Sequence, residues 1–145
     1  MVDGFEAGVG LAISENDVTE CLERYGHAMS ARDIGSILDC WEVPGLVLAD
    51  DGATAFADDE QLQRFFTEVI DRYRAVGLMT TRPEIESVLS LTERIVLVGV
   101  RWPSFDDAGI ERYSERSQYI LRAGPDGRFK ICVGIAEPMS DRVGQ

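Results

Sequence analysis

The stretch RYSERSQYIL, residues 112–121, places phenols and a carboxylate at every second position. Strict alternation sets Tyr113, Glu115, Ser117, Tyr119 and Leu121 against Arg112, Ser114, Arg116, Gln118 and Ile120. The first set is the more aromatic and is expected to face inward. Glu115 would then sit among aromatic rings, where desolvation suits a carboxyl group to proton transfer. The competing reading pairs Glu115 with Arg101, which alternation in its own strand leaves free to face either side, or leaves it in solvent.

Asp50 and Asp51 form a second acidic candidate at the end of GLVLAD, and the following glycine lets both acids be read as caps of a tight turn. His27 is the single histidine. It lies two residues from Tyr25, about 200° around a helix, and so on the polar side. A Ser-His-Asp triad or a histidine-rich metal site is therefore not expected. Serine-nucleophile motifs and phosphate-binding glycine loops are absent from the sequence, so neither a metal nor a cofactor is expected. Cys21, Cys40 and Cys132 are far apart and show no zinc or redox spacing, which reads as reduced, small hydrophobes in a cytoplasmic protein.

These residues need elements to hold them. Ser14 or Asn16 can cap a first helix in which Val18, Cys21, Leu22, Tyr25, Ala28 and Met29 share one face. After the corner SAR, Asp33 caps a shorter helix carrying Ile34, Ile37, Leu38 and Trp41, with Pro44 and Gly45 ending the pair. Two short strands follow, GLVLAD and the one within DGATAF. Asp58 or Asp59 then caps the longest helix, whose stripe includes Leu62, Phe65, Phe66, Val69, Ile70 and Tyr73; Gly77 suits its end. Beyond Met79 the period becomes two, predicting strands near 82–92, 94–102, 110–123 and 128–137, with Asp126-Gly127 in the last hairpin turn. Helices first and strands grouped later indicate an α+β fold. The first 13 residues read as an irregular, glycine-rich segment and 14–140 as one domain.

Composition narrows the function. The chain has 145 residues, 45% hydrophobic and 28% charged, which fits one globular domain with a real core. Its formal charge of −12 argues against nucleic acid and anionic membrane surfaces. No apolar run approaches the ~20 residues of a membrane span. In RIVLVGVRW both alternating faces are largely apolar, so the outer face of that strand needs cover, expected from a second copy in a homodimer packed through the sheet. Trp102, before Pro103, should end that strand near a rim.

The element order, with Tyr25 on the first helix, ARDI at the corner, ADDG after the first strand and RFF in the third helix, resembles the nuclear transport factor 2-like superfamily. It is most similar to the branch containing ketosteroid isomerase and SnoaL-like polyketide cyclases. The resemblance implies a cone: a strongly curved antiparallel sheet wrapped around three N-terminal helices, in the order α-α-β-β-α-β-β-β-β. The bent pair of helices would close its wide end and let Tyr25 and Trp41 both point inward. The resemblance also implies that Tyr25 corresponds to a phenol that binds the substrate oxyanion, and Asp50, or else Asp51, to the general base. At the isomerase's second oxyanion donor, an aspartic acid, this chain has Tyr119. Steroid isomerisation is therefore not transferred to it.

Two functions are consistent with these residues. One is a cavity for a small hydrophobic molecule, lined by Trp41, Phe66, Tyr73, Arg101, Trp102 and Ser117. The other is a cofactor-independent isomerase, cyclase or dehydratase acting on a small carbonyl compound, with Asp50 or Glu115 moving the proton and Tyr25 and Tyr119 stabilising the oxyanion.

Overall fold

The computed structural model describes residues 14–137. The segment 1–13, read from sequence as irregular, lies outside the described residues, as do positions 138–140. Ser14 caps α1 (Glu15–Ala31) by accepting from the Asp17 backbone N–H. The helix ends where Arg32 turns into the left-handed region at φ 56°. Asp33 restarts the chain at once, accepting from Ser36 N at 3.2 Å and Ser36 Oγ at 2.8 Å to cap α2 (Ile34–Asp39). The corner is thus two residues long.

The second helix is shorter than its apolar spacing predicts. Trp41 leaves it and opens β1 (Trp41–Ala49), because β7 (Phe129–Ala136) captures the chain: Trp41 pairs with Ile131, whose N–H donates to Cys40 O at 2.8 Å. Pro44 and Gly45 do not end anything. They are absorbed where the β1–β7 register shifts between Trp41 and Leu46. Gly45 is required there, since a Cβ would meet Glu42 O at 2.8 Å.

β2 (Gly52–Phe56) returns antiparallel along β1. α3 (Asp59–Ala75) is capped by Asp58, which accepts from Gln61 N at 2.9 Å, and ends before Gly77 at φ 82°. A two-residue strand not foreseen from sequence, β3 (Thr80–Thr81), is held by reciprocal bonds between Ser30 Oγ and the Thr81 backbone at 3.0 and 3.1 Å. Next come β4 (Glu84–Ser90), β5 (Ile95–Phe105) and β6 (Glu111–Ala123), which with β7 make an antiparallel meander. β5 runs through Pro103 instead of stopping at it. β4 pairs β5 up to Arg101 and β3 resumes at Ser104, so the proline falls in the gap between them and its missing N–H costs no ladder bond.

Among the described residues seven strands form one sheet in the order β2-β1-β7-β6-β5-β3, with β4 also on β5, and β1–β7 is the parallel pairing. The sheet is curved and unclosed, and its concave side holds the helices: Val18, Leu22, Ile37 and Leu62 pack against Val98, Leu121 and Ile131, all fully buried. Among the described residues no helix is long and apolar enough to cross a membrane.

Candidate functional site: an aromatic chamber inside the sheet

Packing between the helices and the concave sheet stops short of closure and leaves a cavity of about 350 Å³. Tyr25 lines it and is the hub of an aromatic cluster. Its ring meets those of Trp41, Phe66, Trp102 and Tyr119 edge-on, with centroids 5.7–6.4 Å apart. Three elements converge to make this arrangement: the inner face of α1 supplies Tyr25, α3 supplies Phe66, and the sheet supplies the others. The half-turn of chain between α2 and β1 brings Trp41 inward from the strand.

The polar groups of the cavity are few. Trp102 Nε1 donates to the Tyr119 hydroxyl at 2.8 Å in a buried pair, which leaves the phenolic proton of Tyr119 available to another acceptor. The Tyr73 hydroxyl, from the last turn of α3, donates to Glu115 Oε1 at 3.0 Å. Trp41 Nε1 is buried and has no hydrogen-bond partner among the described residues; the indole and the Tyr25 phenol are neighbours. Burial pushes the Tyr25 phenol well above its ordinary value, and Tyr119 to about 12. Tyr73 is also raised, by burial and then by the adjoining Glu115 carboxylate. All three phenols are therefore neutral donors at neutral pH.

The structure brings Tyr25, Trp41, Phe66, Tyr73, Trp102, Glu115, Ser117 and Tyr119 to this one cavity. It places the others elsewhere. Asp50 and Asp51 form the exposed two-residue turn between β1 and β2, beyond the cavity; besides Trp41, the β1 side chain that borders the cavity is Val47. Arg101 lies on the outer face, because its neighbours Val100 and Trp102 point in; it pairs there with Glu84 at 2.8 Å and with Glu111. It is not the partner of Glu115. In β6 the inward alternation holds from Glu115 to Leu121, but Tyr113 is 43% exposed while Ser114 is buried beside Pro103. The ladder shifts just past Tyr113, where the strand leaves the helices behind. His27 is exposed on α1. Sequence reasoning missed Arg32 and Arg72, which border the opening. Arg72 lies at the edge of the α3 stripe, three residues after Val69, and Arg32 follows no periodicity at all.

A model of NTF2-like proteins, described as DUF6841, matches residues 14–139. The chain belongs to this NTF2-like family. No curated protein matches it significantly. Solved structures with the same fold include an NTF2-like protein of unknown function from Shewanella oneidensis, 10% identical, with a TM-score of 0.68 over 85% of this chain and 98% of that one. A ketosteroid isomerase-like protein from Erwinia carotovora atroseptica is 14% identical, with a TM-score of 0.63 over 83% and 92%. A structure from Catenulispora acidiphila in complex with S-DNPA is 17% identical, with a TM-score of 0.66 over 90% and 96%. At such identities the likeness is one of fold.

Proposed function

We propose that this NTF2-like domain binds a small, largely apolar molecule in the chamber around Tyr25. The observation that carries the reading is the cavity of about 350 Å³, apolar in most of its lining, with the Tyr119, Tyr73 and Glu115 polar groups bordering it. That volume lies at the small end of the ~300–1,000 Å³ typical of ligand pockets. The complex of the Catenulispora acidiphila relative with S-DNPA supports the reading by analogy of fold. Cyclic ketones and lactones should raise the melting temperature of the wild-type protein. A Phe66→Trp variant, which fills the chamber, should abolish that stabilisation; full retention of it would sink the proposal.

A second reading, catalysis, is favoured by one specific arrangement. Glu115 and the Tyr25 and Tyr119 phenols border the same space, so a carboxylate and neutral donors can address one ligand. Glu115 would take a proton next to a ligand carbonyl while a phenol stabilises the developing oxyanion, with no cofactor in the step. Asp50 has no place in this scheme, because its turn is exposed. If the reading holds, Glu115→Gln lowers turnover of a substrate ketone with little change in its affinity.

We infer further that a second copy packs on the outer face of the sheet. Supporting this, Leu89, Leu97, Ile120, Val133 and Leu46 are cross-strand neighbours in one apolar row over five strands, none of them fully buried. Leu97→Arg with Ile120→Arg should convert a dimer to a monomer in sedimentation velocity; an unchanged sedimentation coefficient would count against the interface. A cytoplasmic setting fits the free thiols of Cys21, Cys40 and Cys132.

A further inference from the structure

Acids outnumber bases in this chain by 26 to 14, so an arginine has carboxylates to choose from. Among the described residues, Arg24, Arg64, Arg112, Arg116 and Arg122 each hold one and Arg101 holds two. Among the same residues Arg32, Arg72, Arg74, Arg82, Arg94 and Arg128 hold none, and of these Arg32 and Arg72 border the chamber. Glu68, one helical turn before Arg72 on α3, makes no ion pair with it, although that spacing ordinarily permits one. Among the described residues, the only side-chain acceptor that Arg32 reaches is a thioether, Met79 Sδ, at 3.3 Å from Nη2. A thioether is a weak acceptor for a guanidinium.

Arg32 also occupies a position where arginine is not the conformational choice. At φ 56° and ψ 38° the chain ends α1 in the left-handed region, where glycine or asparagine is the ordinary occupant. Arg72 is placed beside Tyr73, whose hydroxyl engages Glu115 and thereby occupies one carboxylate oxygen at the opening. Arg116 borders the opening as well, but both its Nε and Nη2 are committed to Glu86, at 3.0 and 3.1 Å. Glu137 is the remaining acid on the rim, and it lies on the Arg116 side. The rim therefore carries two guanidinium groups with unused donors above an apolar interior.

We propose that the ligand of this chamber is an amphipathic carboxylic acid, its ring system against Tyr25, Phe66 and Trp102 and its carboxylate held at the opening by Arg32 and Arg72. This rests on reading the cavity as a binding site and adds the chemical class of its occupant. A guanidinium presents donors in a planar fork that matches a carboxylate, so orientation as well as charge would be selected. A neutral ketone of the same shape fills the interior but leaves both arginines in water.

The test compares 2-naphthoate with methyl 2-naphthyl ketone by isothermal titration calorimetry on the full chain. The acid should bind roughly tenfold more tightly at low salt, as a charge-assisted hydrogen bond provides. Added salt should shrink that lead, because the arginines are at the surface. Arg32→Gly suits the left-handed backbone and so keeps the fold; with Arg72→Gln it should bring the two affinities together while the ketone's stays unchanged. Ketone binding as tight as acid binding in the wild type, or an acid preference that survives the double substitution, overturns the inference and leaves the cavity reading intact. If neither compound binds, both fall.

Discussion

The Tyr73 hydroxyl donates to Glu115 Oε1 at 3.0 Å, fastening the last turn of α3 to the concave face of β6. Both side chains are half-buried, so neither is fully compensated by water when the other is removed. Tyr73→Phe should cost roughly 1.5–3 kcal/mol of stability, the usual range for a hydrogen bond to a charged group. Glu115→Gln should cost less, since an amide oxygen still accepts. Urea denaturation of the two variants checks the order.

The buried Trp102–Tyr119 bond should be the more strongly coupled pair. Tyr119→Phe strands an indole N–H in the interior, and Trp102→Phe leaves a phenol without its donor. Each should destabilise by about 1–3 kcal/mol, with Trp102→Phe adding the loss of its larger ring. In the double variant no donor is stranded, so its loss should fall short of the sum of the two. Strict additivity in a double-mutant cycle would mean that the bond contributes nothing beyond packing.

Stability should decline on the alkaline side. Burial pushes the Cys21 thiol from 9.0 to about 12 and the Tyr119 phenol from 10.0 to about 12. Above those ordinary values the unfolded chain has released protons that the native state still holds. The native state thus binds more protons, and the unfolding free energy falls with rising pH. These groups contribute little slope below about pH 8 and a growing one above it, through the window up to about 12. Denaturation midpoints measured across that window should fall, and Cys21→Ala should flatten the first part of the fall.

Gly26 is the point at which α1 touches the chamber wall. A Cβ there would sit 3.1 Å from Trp102 Cζ3 and 3.2 Å from Pro83 Cδ, both parts of stiff rings. Gly26→Ala gains about 1 kcal/mol in helix propensity but overpacks the contact by roughly 1–3 kcal/mol. We expect a net loss, together with a changed tryptophan emission spectrum as Trp102 shifts. A more stable variant with unaltered emission would show that the wall yields freely.

Much of the fold could be read from local signals. The caps Asp33 and Asp58, the stripe on α3 and the period-two pattern of β6 each depend on residues a few positions apart. So does the wall formed by Glu115, Ser117 and Tyr119, because alternation is a property of one strand. What was illegible depended on distant segments. Trp41 looked helical by spacing until β7 claimed it, and Pro103 looked terminal because the break between β3 and β4 lies more than a dozen residues away. Arg101 could face either side in isolation, and burial of its two neighbours decided it. The rim arginines had no pattern to betray them: Arg32 marks a corner, and Arg72 is one more polar residue on an exposed helical flank.

The parallel pairing of β1 with β7 unites the first strand with the last. On a ribosome, the β1–β2 hairpin emerges long before the partner that completes its ladder, and Trp41 waits with it. Loop closure over the 90 positions from Trp41 to Ile131 must precede that contact, which is a slow route to assembly. A polypeptide stopped before Phe129 would lose more than one strand. It would leave the β1 edge bare and the roof of the aromatic chamber unsecured, so synthesis of the C-terminal segment is the event that commits the molecule to having an interior.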